Sequence, residues 1–182
     1  MLDYDNYPII AAIRSEDNLD LALASDVQTI FMLNSNIMTV EDIARRVHES
    51  GKLVYFHMDF VDGLSKDHAG VRYIATKNID GIISTRVSII SAAKEYGISC
   101  IQRCFMIDSR SVDTAIDSLR QSHADMVEIM PALAYKSISK IKRSLNIPII
   151  AGGLIEHKDE IYHALTAGAS MISTGAPDLW ND

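Results

Sequence analysis

Cysteine is scarce in this chain of 182 residues, with only Cys100 and Cys104 present. Two cysteines are too few for a disulfide framework or a cysteine-based zinc site. No apolar run approaches the roughly 20 residues that cross a bilayer. The opening residues MLDYDNYP carry acids where a secretory leader carries bases. These absences point to a cytoplasmic protein with no membrane association. Basic residues are also in deficit: 17 Lys and Arg against 24 Asp and Glu leave a net charge of −7, which argues against non-specific polyanion binding. There is no G-x-G-x-x-G after the first apolar run, which removes the main support for an open dinucleotide-binding sheet. No serine-centred nucleophile elbow occurs. No lysine lies inside an expected strand, Lys52 and Lys66 only flanking the third, so a Schiff-base aldolase is disfavoured.

What is present has the balance of a folded globular domain, 48% apolar and 23% charged, and the length suits a single domain over residues 1–182. Eight short apolar runs recur at even spacing. They are Pro8–Ile13, Thr29–Asn34, Leu53–Asp59, Gly81–Arg86, Ser99–Phe105, Met126–Pro131, Pro148–Gly153 and Met171–Gly175. Between them lie segments of helical periodicity, for example Thr39–Ser50, Ser109–Gln121 and Glu156–Ala167, with polar starts and glycine stops after the first and third. Strand–helix alternation implies parallel pairing with right-handed crossovers, and eight units close a TIM-like (β/α)8 barrel. The chain is short for that fold, so the last helix is expected to be a stub or absent. A second copy of the chain could then cover the exposed seam.

Successive side chains on a strand point to opposite sides, so parity separates lumen from helix layer. On the third run Val54, Phe56 and Met58 share one side and Tyr55, His57 and Asp59 the other. Similar reasoning sends Arg14, Asn34, Ser84, Arg86, Gln102 and Glu128 inward near the C-terminal ends, where barrels build their sites. Two readings stay open for this polar layer: a satisfied internal network, or the wall of a ligand pocket. His57-x-Asp59 has the spacing of two metal ligands on one strand face but lacks a third, and no metal is expected. The loops Ala151-Gly152-Gly153 and Ser173-Thr174-Gly175 follow the last two runs, where barrels commonly hold phosphate. Gly152, Gly153, Thr174 and Gly175 are its candidate holders, with Trp180 either beside them or capping the core.

Read together, PIIAAIR (8–14), HMDFVDGL (57–64), GIISTR (81–86), IQRCFMID (101–108), VEIMP (127–131), IPIIAGG (147–153) and the closing LW (179–180) resemble the glycerol-3-phosphate-responsive antiterminator family, the GlpP-type regulators of bacterial glycerol operons. The resemblance implies a non-catalytic barrel regulator that takes sn-glycerol 3-phosphate as effector, needs no cofactor, and binds the leader mRNA of a glycerol-utilisation operon. Gly152, Gly153, Thr174 and Gly175 would then hold the phosphate, and Arg14, Asp59, Arg86 and Glu128 the remainder of the ligand. The basic clusters Arg45-Arg46 and Lys136, Lys140, Lys142, Arg143 are the candidate RNA surfaces. The rival reading is an enzyme acting on a small phosphorylated sugar or polyol, with Asp59 and Glu128 as acid and base.

Overall fold

In the computed structural model, which describes residues 7–181, eight parallel strands close on themselves. The acidic opening segment, residues 1–6, lies outside the described residues. The barrel strands are β1 (Ile9–Ile13), β2 (Thr29–Met32), β3 (Leu53–His57), β4 (Gly81–Ser84), β5 (Ser99–Phe105), β6 (Met126–Met130), β7 (Ile149–Gly152) and β8 (Met171–Thr174). Each pairs with its sequence neighbours, and β8 returns to β1 through Ile172 beside Ile9. Seven helices cover the outside: α1 (Leu19–Ala24), α2 (Val40–Glu49), α3 (His68–Ile74), α4 (Val87–Glu95), α5 (Ser109–Ser122), α6 (Tyr135–Ser144) and α7 (Lys158–Thr166). After β8 the described residues form a single 3-10 turn, Pro177–Leu179, in place of an eighth helix. That turn ends on Trp180, which is buried and donates from Nε1 to the Thr174 carbonyl at 2.9 Å. Trp180 therefore closes the core.

Strand parity sorts the core into two layers. Ile10, Phe31, Tyr55, Ile83, Ile101, Met126, Ile150 and Met171, one from each strand, pack together inside the barrel. Their chain neighbours, such as Ile9, Ala11, Val54, Phe56, Ile82, Cys100, Val127 and Ile172, pack outward against the helices. Full burial of each Val, Ile, Phe or Met side chain among them contributes about 1.5–3 kcal/mol. Space for the Tyr55 ring comes from Gly81, where a Cβ would stand 2.2 Å from Tyr55 Cε1. The phenol then reaches Ser99 Oγ at 3.1 Å, so its polar end is not stranded.

Several strands end earlier than the apolar runs suggest. The third stops at His57, because Met58–Phe60 forms a 3-10 turn that brings Asp59 to β4. Ser35–Asn36 and Val61–Asp62 pair as a short parallel ribbon over the adjoining loops. Helix α5 starts where Asp108 accepts from the Ser111 amide (2.8 Å) and Ser111 Oγ accepts from the Asp108 amide (3.1 Å), a reciprocal cap. Helix α7 begins at Lys158, two residues later than periodicity suggests. Glu160 accepts from the Glu156 and His157 amides and keeps both residues outside the helix.

Candidate functional site

The C-terminal mouth is built around two buried charges. On β5, Ile101 faces the lumen, so Arg103, two residues on, does the same. On β6, Met126 places Glu128 inward, and the register sets Arg103 directly beside Glu128. Arg103 Nε donates to Glu128 Oε2 at 2.6 Å, and Ser173 of β8 donates from Oγ to Glu128 Oε1 at 2.6 Å. Both carboxylate oxygens are thereby satisfied, a requirement for a charge that is 1% exposed. Gly152 makes the arrangement possible. A Cβ there would lie 2.3 Å from Ser173 Oγ and 2.7 Å from Glu128 Oε1.

A second cluster lies at the ends of β3 and β4. Asp59 accepts from Ser84 Oγ (2.8 Å), the Thr85 amide (2.9 Å) and Thr85 Oγ1 (2.9 Å). Burial pushes its carboxyl upward, but these donors and nearby His57 outweigh burial and hold it below the usual carboxylate range. Arg86, the residue before α4, approaches Asp59 Oδ1 with Nε at 3.8 Å while its side chain stays half exposed. His57 is 1% exposed, with Nδ1 3.9 Å from Asp59 Oδ2, and neither ring nitrogen has a hydrogen-bond partner. Burial first, then the Arg103 charge, lowers its pKa to about 4, so the ring is neutral at neutral pH. The Phe60 ring packs against it at 4.7 Å between centroids.

Above these groups opens a cavity of about 380 Å3, lined by Arg14, Leu33, Asn34, Phe60, Arg103, Phe105 and Met130. Its size falls at the small end of ligand sites, and two guanidinium groups on an otherwise largely apolar wall suit an anionic ligand.

Four sequence expectations need correction. Gln102 does not face the lumen: it donates to Ser118 (2.6 Å) and accepts from Ser122 of α5, because its neighbour Ile101 holds the inward position. Ser84 has the outward parity of Ile82 and serves Asp59 at the strand end. Asn34 reaches the cavity wall only because β2 stops at Met32; the inward parity of that segment belongs to Phe31 and Leu33. Thr174 shares the outward parity of Ile172, and its hydroxyl donates to the Ile155 carbonyl (2.9 Å) and accepts from the Ala176 amide (3.1 Å). It is not free for a phosphate. Gly152, Gly153 and Gly175 lie outside the lining of the cavity. Gly153 (φ 77°) turns the chain out of β7 in the left-handed region, and its carbonyl accepts from the Ala132 amide.

The residues that sequence reasoning passed over as site residues are Arg103, Phe60 and Phe105; Ser173 was read only as part of a phosphate loop, and His57 as a lumen residue with the spacing of a metal ligand but no assigned role. The signal for Arg103 was its spacing of two from Ile101. Cys100 and Cys104, on the other face of the same strand, masked it. Of the basic clusters, Arg45 is paired with Asp42 and Glu49, Arg46 with Asp20, and Lys140 with Asp113. Lys136, Lys142 and Arg143 are exposed on α6 without an ion pair among the described residues. No described group of three His, Cys, Asp or Glu side chains could hold a metal ion, and no described helix is long and apolar enough to cross a membrane.

Fold and mouth together define a (β/α)8 barrel of TIM type with the buried Arg103–Glu128 pair at its C-terminal end. The model of the glycerol-3-phosphate responsive antiterminators matches residues 9–180, and the chain belongs to that family. It is 33% identical over 174 residues to the protein YgcP of Escherichia coli (strain K12), covering 95% of this chain and 91% of that one. Among solved structures, the glycerol uptake operon antiterminator regulatory protein of Listeria monocytogenes str. 4b F2365 superposes with a TM-score of 0.93. It shares 31% identity and covers 98% of this chain and 97% of its own. A glycerol uptake operon antiterminator-related protein of Thermotoga maritima MSB8 superposes with a TM-score of 0.85 at 31% identity, covering 94% and 96%.

Proposed function

We propose that this protein is an effector-responsive regulator that binds sn-glycerol 3-phosphate in the barrel mouth and, so loaded, binds the leader mRNA of a glycerol-utilisation operon. The observation that carries the reading is the cavity holding Arg14 and Arg103 above the Arg103–Glu128–Ser173 network, in a chain of this family. The phosphate meets the guanidinium groups of Arg14 and Arg103, the two cations of the cavity lining. Arg103 spends Nε on Glu128, and a guanidinium has four further N–H donors for an anion. The glycerol end points down toward His57 and Asp59.

The same geometry weighs against acid–base catalysis by Asp59 and Glu128. Asp59 accepts three hydrogen bonds and is held ionised, and Glu128 is locked between Arg103 and Ser173. Neither carboxylate is poised to exchange a proton with a ligand. We therefore read the protein as a cytoplasmic regulator that turns nothing over. Of the two candidate basic clusters, Lys136, Lys142 and Arg143 of α6 are the groups without an ion pair among the described residues and so available for RNA phosphates. Equilibrium binding of labelled leader RNA with and without sn-glycerol 3-phosphate tests the reading. A coupling of 1–3 kcal/mol, typical of allosteric effectors, gives about 5–150-fold tighter RNA binding with the effector present. Equal RNA affinity in both conditions contradicts the proposal.

A further inference from the structure

His57 is the one histidine of the described residues whose two ring nitrogens are both buried and without a hydrogen-bond partner. A buried polar group left this way costs about 1–3 kcal/mol, so its presence in a well-packed barrel calls for an occupant. The ring is pinned from several sides. It ends β3 on the lumen face, two residues after Tyr55. Asp59 stands 3.9 Å from Nδ1, too far for a hydrogen bond and already engaged with Ser84 and Thr85. Arg103 lies near enough for its positive charge to oppose protonation, and Lys66 acts in the same sense from the loop before α3. Phe60 packs on the ring from above, and Phe60 is itself 54% exposed and lines the cavity. An exposed aromatic ring thus separates a cavity with two guanidinium groups from a neutral, unpartnered imidazole.

We infer that His57 is the specificity residue for the hydroxyl-bearing end of the ligand, and that Phe60 swings aside to admit that end. This rests on the reading of the mouth as the glycerol 3-phosphate pocket and adds which atom reads the polyol. A neutral imidazole has one N–H donor and one bare nitrogen acceptor, and an alcohol hydroxyl likewise both donates and accepts. A phosphoryl oxygen only accepts and is matched by the guanidinium groups instead. Discrimination follows from chemistry: a ligand lacking the hydroxyl leaves His57 unpaired in the closed complex, and such sites reject the deficient analogue strongly.

The test is a ligand-by-variant comparison by calorimetry. Wild type, His57→Leu and His57→Gln are each titrated with sn-glycerol 3-phosphate and with propyl phosphate, which keeps the phosphate and loses both hydroxyls. The wild type is expected to prefer glycerol 3-phosphate by about tenfold or more. His57→Leu is expected to lose that preference while binding propyl phosphate as before, and His57→Gln, which retains a donor and an acceptor, to recover part of it. The unliganded His57→Leu protein is also expected to melt no lower than wild type, because two unpaired polar atoms have been removed. Equal losses for both ligands, or an unchanged preference, overturn the inference while leaving the pocket in place. A wild type that binds neither ligand overturns the reading of the pocket itself. Should His57→Leu fail to fold, the ring 15N resonances of His57 in the wild type decide the matter. They shift and fix one tautomer on saturation if the ring is the contact, and identical signals with and without ligand refute it.

Discussion

Arg103 and Glu128 stand side by side on β5 and β6, with Nε 2.6 Å from Oε2 and both side chains withdrawn from solvent. Replacing one partner strands the other in a medium that solvates it poorly. Glu128→Leu is therefore expected to lower stability by about 3–5 kcal/mol, whereas Arg103→Met with Glu128→Leu is expected to cost markedly less than the two single changes combined. Chemical denaturation of the three variants measures this. Additive losses would show that the pair is not coupled.

Gly152 gives a sharper steric test. An alanine methyl would sit 2.3 Å from Ser173 Oγ and 2.7 Å from Glu128 Oε1, so both must give way, Ser173 the more, and their hydrogen bond is disrupted. Gly152→Ala is expected to destabilise by about 1–3 kcal/mol, and by much less when Ser173→Ala removes the obstructing hydroxyl. Thermal melts of the single and double variants separate this from a simple loss of backbone freedom, which Ser173→Ala could not repair.

The pH dependence of stability has a definite sign. His57 titrates near 6.5 when unfolded and at about 4 when folded, so between these values the unfolded chain binds the extra proton. Its contribution is in place above pH 6.5 and is lost as the pH falls toward 4. Over that window the loss is on the order of 3 kcal/mol. Asp59, held below its ordinary value, adds a further loss at lower pH. Denaturant midpoints from pH 7 to pH 4 are expected to fall steeply for wild type and less steeply for His57→Leu. Parallel curves would contradict the buried, neutral ring.

The two basic helix faces are expected to behave differently toward RNA. Changing Lys136, Lys142 and Arg143 together to alanine removes unpaired positive charge from α6, and should weaken leader RNA binding and flatten its salt dependence. Changing Arg45 and Arg46 removes side chains already paired with Asp42, Glu49 and Asp20, and should leave RNA affinity nearly unchanged. Binding isotherms at several salt concentrations check both statements. A larger loss from the Arg45 and Arg46 change would place the RNA surface on α2.

How much of this was legible in the sequence differs between fold and site. Eight apolar runs and the helical segments between them define the barrel, because strand parity and helical periodicity are written locally. Glu128 was placed inward as the polar member of an apolar strand, and Met126, two residues earlier, faces the lumen as that parity requires. On β5 the alternation is blurred, since Cys100 and Cys104 face the helices while Ile101 faces the lumen, and Gln102 was exchanged for Arg103. Thr174 was misread because a hydroxyl beside glycine suits a phosphate equally well in either direction, and only the fold shows it bonded to Ile155. The orphaned state of His57 could not be read at all. It depends on the 3-10 turn at Met58–Phe60, which carries Asp59 to β4 and lays Phe60 over the ring.

The central claim is that the mouth holds a phosphorylated polyol. The most direct measurement is a calorimetric titration of the wild-type protein with sn-glycerol 3-phosphate, with glycerol and inorganic phosphate as controls and the mixture assayed for product. Saturable binding that needs both halves of the ligand, with the ligand recovered intact and binding abolished by Arg103→Ala, is the predicted result. No heat of binding at millimolar ligand, or conversion of the ligand to product, would contradict the account.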